Sequence, residues 1–352
     1  MEEHNIVGLS IAIVDDQELV WAEGFGWADK KQWIRATPET VYRAGSITKL
    51  FTATAAMQLA EQGKLNIDQP IKRYLPGFSI KQRIKGVGPV TPRNIMTHHS
   101  GLPSDYLQGR WEDEPASFTG LAGQLKEDYA ANPPNTILSY SNLAMTLLGH
   151  TVQEVSGQSY AEYIRQSLLL PIGMPSSYIA PGLIADRLTA KGYYKNKEKP
   201  VVPMRDLPAG ALNSNVWDLA HFTQMLFAEG WSGSQQILKS ETLDEMLRYQ
   251  DGDAPFDLDS RIGLAWFLDD SFGKAASLVA GHDGATFLFS SSLTALPKHK
   301  LAIIVLSNTA SVGEAIVEIA QEALTLALDA KTGIAVADES EPLNSSRGSN
   351  PW

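Results

Sequence analysis

Val41-Tyr42-Arg43-Ala44-Gly45-Ser46-Ile47-Thr48-Lys49-Leu50-Phe51 is the stretch that decides how this chain reads. From Ile47 onward Leu50, Phe51, Thr54 and Met57 recur at helical spacing with alanines between them. Gly63 is placed to end that helix as its C′ residue. Ser46 therefore sits at a helix head, beside free backbone N–H groups and the positive end of the dipole. Lys49, three residues on, projects from the same face one turn along. A serine hydroxyl is a poor nucleophile until a base or cation stands next to it, and this spacing supplies one.

Alone, the pattern is weak. A chain of 352 residues carries about one Ser-x-x-Lys by chance, and its bland reading is an N-cap serine followed by a solvated lysine. A second copy, Ser271-Phe272-Gly273-Lys274, lies in a glycine-containing, aperiodic stretch and reads as a loop. Support for Ser46 comes from two triplets further along. Tyr140-Ser141-Asn142 precedes a second helical run, with Met145, Leu148, Val152 and Val155 on one face and Gly157 at its end. Gly281-His282-Asp283-Gly284 precedes a β-rich stretch, Phe287 to Leu296, a turn at Pro297–Lys300, and Leu301 to Leu306.

With these three motifs in this order, the chain resembles the serine β-lactamase and penicillin-binding-protein superfamily, closest to its class C-like branch with the family VIII esterases and D-aminopeptidase-like peptidases. Thr97-His98-His99-Ser100-Gly101-Leu102-Pro103 and Pro208-Ala209-Gly210-Ala211-Leu212-Asn213-Ser214 are similar to the same branch, and the likeness spans roughly residues 6 to 330. Each motif has a rival. Tyr194-Lys195-Asn196 falls in a lysine-rich segment that reads as an exposed loop, and His99-Ser100-Gly101 comes too early. Lys331-Thr332-Gly333 matches the third triplet literally, but it follows the last amphipathic run, Ala315 to Ala330, so Gly333 reads as a helix cap.

The resemblance implies an acyl-enzyme on Ser46, with Lys49 and Tyr140 sharing the proton work. Lys49 in a partly dry site has its neutral form favoured, and Tyr140 beside a charged Lys49 has its phenolate favoured; the sequence leaves open which is the primary base. It also implies that Asn142 holds Lys49 and the substrate, and that the N–H groups of Ser46 and Ala285, the latter following Gly284, form the oxyanion hole. His282 stands where many relatives have lysine. A histidine is mostly neutral at pH 7 and becomes charged only near pH 6, and Asp283 adds negative charge, so carboxylate anchoring is expected to be weak. Expected substrates are small esters, peptides or amides, D-amino-acid types included. A β-lactamase or a penicillin-binding sensor that is acylated but turns over slowly is the alternative, and a pseudoenzyme would need none of these residues.

The rest of the chain bounds this reading. At 43% apolar residues it can bury a substantial core. A net charge of −11 with few basic runs argues against nucleic acid. No cysteine is present, which excludes disulfides and cysteine-based metal or redox sites. Gly-x-Ser-x-Gly, His-Glu-x-x-His and phosphate-loop motifs are all missing, and His98-His99 reads as a hydrogen-bonded loop pair, so neither metal nor cofactor is expected. No run of about 18 apolar residues could span a membrane. The location is left open, with a secreted or periplasmic protein expected if a signal segment has been removed before Met1.

Strand signals cluster at residues 6 to 25, with a turn at Asp15-Asp16, and at 287 to 307. The expected fold is α/β (α+β): an antiparallel sheet flanked by helices, from residues 1–63 and 206–334, plus a mainly helical second domain from 64–205, as in β-lactamases and transpeptidases. The polar segment 335–352 reads as a disordered tail or a truncated linker.

Overall fold

The computed structural model describes residues 1–184, 186–250, 252, 254–257, 260–270 and 278–333. The Ser271–Lys274 copy and the segment 335–352 lie outside the described residues. Fifteen strands are described, in chain order. The first four are β1 Gly8–Asp15, β2 Glu18–Asp29, β3 Ile34–Arg35 and β4 Tyr42–Gly45. The middle of the chain adds β5 Tyr178–Ile179, β6 Gly192–Tyr194, β7 Lys197–Lys199, β8 Leu212–Ser214, β9 Trp231–Ser232 and β10 Gln235–Gln236. The last five are β11 Arg261–Ile262, β12 Phe267–Asp269, β13 Val279–Ala285, β14 Ser290–Leu296 and β15 Leu301–Ser307.

The main sheet has the order β11-β12-β13-β14-β15-β1-β2-β3. Its centre is made by the two ends of the chain: β1 pairs antiparallel with β15, Leu9 opposite Ser307 through Asp15 opposite Leu301. Both strands alternate between two faces with period two. Ile11, Ile303 and Val305 pack under the C-terminal helix Gly313–Thr332, against Ile316, Leu324 and Leu328. Ala12, Val14, Ile304 and Leu306 join the larger core on the opposite face, with Leu50, Phe51, Leu143 and Leu148. Covered on both faces, β15 is buried at every position, which is why Leu301 to Leu306 reads as a continuous apolar run rather than an alternating one.

The helix carrying Lys49 runs Thr48–Glu61 and is closed by Gly63, whose φ of +69° lets its N–H and that of Lys64 bond back to Ala60 and Leu59. It is buried almost all round, alanines included, so it is a central helix rather than a surface one. Phe51 stacks on Phe222 of helix Val216–Phe227 at 4.3 Å between ring centroids, worth about 1 kcal/mol beyond the area buried. The second motif helix, Asn142–Ser156, is capped by the Ser141 side chain on Ala144 N–H and ends at Gly157 with φ +72°.

Between 64 and 205 the chain adds, besides Asn142–Ser156, two continuous helical runs of mixed type at 118–127 and 160–172 and short turns of helix elsewhere, and β5 of this part pairs with β8 beside β4. One turn differs from expectation. The first hairpin turns at Asp16-Gln17, since Asp15 still pairs with Glu18. His282-Asp283-Gly284 lies in β13 with β14 and β15 following it, as the third motif of the resembled family requires, although two glycines and an aspartate depress its local β propensity. No helix among the described residues is long and apolar enough to cross a membrane.

Candidate active site

Ser46 is partly exposed between fully buried neighbours, in the turn just before Ile47, which is the helix N-cap. Lys49 is 0% exposed, and its Nζ lies 2.9 Å from Ser46 Oγ and 2.7 Å from the carbonyl of Ala209. The Tyr140 hydroxyl donates to Ser46 Oγ at 2.8 Å. Ser46, Lys49 and Tyr140, expected from two separate motifs, thus meet at the Ser46 hydroxyl. The rival triplets do not take part. Lys195-Asn196 is the tight turn of the exposed β6–β7 hairpin, both residues at positive φ. Lys331 ends the C-terminal helix, its amine on the Asp15 carboxylate and the His299 carbonyl.

β13 brings the third motif to the serine. Thr286 N–H bonds to Phe289 O, so the neighbouring pair, Ala285 opposite Ser290, is a non-hydrogen-bonded one and the Ala285 N–H points to the other edge of β13. β12 covers that edge only as far as Gly281. Beyond it the backbone of Gly45–Ser46 closes in. A Cβ on Gly45, which has φ +54°, would lie 2.9 Å from Ala285 N, and one on Gly284 would lie 2.2 Å from Ala44 O and 3.1 Å from Ser46 N. Both positions demand glycine: the first for its conformation and approach, the second for approach alone. Ser291 Oγ donates to Ala44 O and ties the two segments together.

His282 is 5% exposed. Its Nδ1 lies 2.6 Å from the Asp283 carbonyl, which can only accept, so Nδ1 carries the proton and Nε2 is a bare acceptor with no partner among the described residues. Burial first, then the charge of Lys49, lowers its pKa to about 3, against the weaker opposing effect of the Asp283 carbonyl. The sequence-based expectation that this ring charges near pH 6 is therefore corrected: a ring out of water behind Tyr140 and Phe267 stays neutral.

Burial acts in opposite directions on the two proton carriers. Burial holds the Lys49 amine well below the ordinary lysine value, Arg110 adds to this, and Asp105 and Asp206 oppose it. Burial pushes the Tyr140 phenol up, helped by Asp105 and Asp283 and opposed by the Ser46 hydrogen bond and Arg110. The phenolate expected from sequence is thus disfavoured, because desolvation of the anion outweighs the nearby cations.

Asn142 differs from expectation as well. Its Nδ2 donates to Asp105 Oδ1 at 3.0 Å, and no hydrogen bond to Lys49 is present among the described residues. A carboxylate is the stronger acceptor, and Lys49 is occupied by Ala209 O. Asp105 belongs to a charge cluster that sequence reading missed. Arg110 pairs with Asp105 and stands 3.3 Å from Asp206 Oδ2, a charge contact without hydrogen-bond alignment. Arg205 Nε donates to Asp206 Oδ1 at 2.7 Å, and its other nitrogens hold the carbonyls of Gln108 and Tyr106. His98 and His99 are hydrogen-bonded loop histidines, as expected, but the place of His98 beside Tyr140 was not foreseen. The His98 carbonyl accepts Ser139 N–H, its Nδ1 accepts Ser141 N–H at 3.3 Å, and its ring lies 4.4 Å from that of Tyr140. His99 instead bonds Asp257 at 2.6 Å. Only the segment Thr97–Pro103 hinted at His98; isolated charges such as Asp105 and Arg110 carry no local signal.

Comparison with known proteins places this geometry in context. The Beta-lactamase family model matches residues 1–327. Protein flp of Staphylococcus aureus (strain NCTC 8325 / PS 47) is 26% identical over 318 residues, 88% of this chain, which spans only 61% of that relative's length. The octameric penicillin-binding protein homologue from Pyrococcus abyssi is similar with a TM-score of 0.74 at 30% identity, over 93% of this chain and 75% of the other. A class C beta lactamase from Rhodobacter sphaeroides has a TM-score of 0.76 at 23% identity, over 93% and 96% of the two chains, which is a likeness of fold. With a family match over nearly its whole length and a serine, lysine and tyrosine meeting at one oxygen, the chain belongs to the beta-lactamase family.

Proposed function

We propose that this chain is a serine hydrolase that forms an acyl-enzyme on Ser46 and cleaves uncharged carboxylic esters or amide bonds. The observation that carries the reading is the buried Lys49 amine, its pKa depressed, 2.9 Å from Ser46 Oγ. A neutral Lys49 takes the Ser46 proton as Oγ attacks the carbonyl carbon. The N–H groups of Ser46 and Ala285 stabilise the oxyanion. When the carbon–heteroatom bond breaks, Tyr140 gives its phenolic proton to the departing oxygen or nitrogen and is reprotonated from Lys49. In deacylation the same pair draws a proton from water as its oxygen attacks the acyl carbon, and Ser46 regains its proton. Asn142, fixed by Asp105, offers its remaining amide groups to the substrate.

Substrate choice follows from His282. A bare acceptor in place of a cation favours a group that donates, such as an amide N–H or an amine, over a carboxylate. Trp111 packs on the exposed Phe287, ring centroids 4.5 Å apart, and adds an apolar wall beyond the oxyanion side. Both features support short esters and amides, aminoacyl amides included, over penicillins. The test is incubation with short-chain nitrophenyl esters, D- and L-aminoacyl amides and a chromogenic cephalosporin, followed by intact-mass analysis. Free product with no lasting adduct supports a hydrolase. A persistent adduct on Ser46 would make the chain an acylated sensor, and no reaction at Ser46 with any of them would sink the proposal.

A further inference from the structure

His98 is fully buried just after the short helix Pro92–Met96, and its N–H bonds to the carbonyl of Ile95. Its φ of +57° is in the left-handed region, uncommon for residues other than glycine. From there it grips the second motif at two points. Its carbonyl accepts the Ser139 N–H at 2.8 Å and its Nδ1 accepts the Ser141 N–H at 3.3 Å. Tyr140 lies between these anchors, and the His98 ring packs on the phenol ring, centroids 4.4 Å apart. An accepting Nδ1 carries no proton, so the ring is the neutral form with its proton on Nε2. Burial first, then Lys49, favours that form. Further along, Ser141 Oγ and the Asn142 N–H bond to the carbonyls of Pro103 and Ser104, so the helix that follows has anchors of its own. Among the described residues no hydrogen bond joins His98 to Ser46 or Lys49.

We infer that His98 is the positioning residue of Tyr140, holding the phenol where its proton reaches the departing oxygen or nitrogen. The inference rests on the roles proposed above for Ser46 and Tyr140. A misplacement of about 1 Å in a reacting group costs roughly 10²-fold in rate. Here the cost must depend on the leaving group. An alkoxide is strongly basic and takes the Tyr140 proton as the carbon–oxygen bond breaks, whereas a nitrophenolate departs without it.

The test is kcat/KM, which covers the steps up to acylation, for the methyl and nitrophenyl esters of one short acyl group. His98→Gly accepts the positive φ and removes both the ring and the acceptor. It should lose roughly 10²-fold on the methyl ester, in kcat with KM unchanged, and only a few-fold on the nitrophenyl ester. His98→Asn tolerates the left-handed region and carries an oxygen at the Nδ1 position, so it should win back roughly ten-fold of the methyl ester loss. If the glycine variant does not fold, His98→Phe, which fills the space without accepting, takes its place with the same expectation. Tyr140→Phe is the reference and should show the same selective loss. Selective loss in Tyr140→Phe but equal losses on both esters in the His98 variants, or no recovery in His98→Asn, would overturn this inference alone. Equal losses on both esters in Tyr140→Phe would overturn the proposed role of Tyr140 and this inference with it.

Discussion

Replacing His282 by glutamine should make the protein markedly less sensitive to acid. The ring is buried with a folded-state pKa of about 3, whereas in the unfolded chain it titrates at about 6.5. Below about 6.5 the unfolded chain therefore takes up a proton that the folded chain refuses. Stability falls as the pH drops, and the loss is complete only near the folded value. At about pH 5 the deficit is 1.5 pKa units, about 2 kcal/mol, and it is insensitive to the folded value so long as that stays well below 5. Glutamine keeps an acceptor and never titrates. His98, also buried with its pKa pushed well down, remains in both proteins, so the difference between them isolates His282. Urea unfolding of wild type and His282→Gln at about pH 7.5 and pH 5 measures this, and the variant should lose about 2 kcal/mol less on acidification. The same property governs specificity: the kcat/KM ratio of a carboxylate-bearing substrate to a neutral ester should stay flat over that range. An equal acid loss in both proteins, or a ratio that climbs with a midpoint near pH 6, would mean that His282 charges in the folded state, and the account of substrate choice would fail.

Ser46→Ala should abolish turnover and acylation while leaving the fold intact, since Ile47 and not Ser46 is the helix N-cap, and full activity in that variant would end the proposed mechanism. Lys331→Ala should leave kcat/KM within a few-fold of wild type, since that lysine sits on Asp15 at the end of the C-terminal helix, whereas His282→Ala should lower it roughly 10²-fold; the reverse pattern would show the third motif to be misassigned. Arg110→Met removes a cation that depresses Lys49 and leaves Asp105, which raises it, without its cationic partner, so the acid limb of the pH–kcat/KM profile should move to higher pH, and an unmoved limb refutes Lys49 as the base. His282→Lys should improve cephalosporin turnover relative to ester turnover by roughly one to two powers of ten, the worth of a charge-assisted hydrogen bond to a carboxylate, and an unchanged ratio counts against the anchor argument.

Much of the site was legible in the sequence because its signals are local. The 3.6-residue period placed Ser46 and Lys49 on one helix face, and the glycines at 63, 157 and 333 marked helix ends where the structure has left-handed residues. Apolar alternation and the continuous run at Leu301–Leu306 marked the paired terminal strands. The strand carrying His282 was legible only through the family resemblance and not from local propensity, since its glycines serve the approach to Ser46.

What sequence alone determined is therefore which residue types are available and which of them share a local element: a serine with a lysine one turn on, a tyrosine before a cap, a histidine in place of lysine. Only the tertiary structure decided their states. Lys49 is driven toward its neutral form, Tyr140 held as a phenol, His282 kept uncharged, and Asn142 turned to Asp105. Each outcome depends on desolvation and on charges brought near from residues such as Arg110 and Asp206, 61 and 157 positions from Lys49 along the chain. Burial and Coulomb energies follow distance in space, and no local pattern in the sequence encodes that distance.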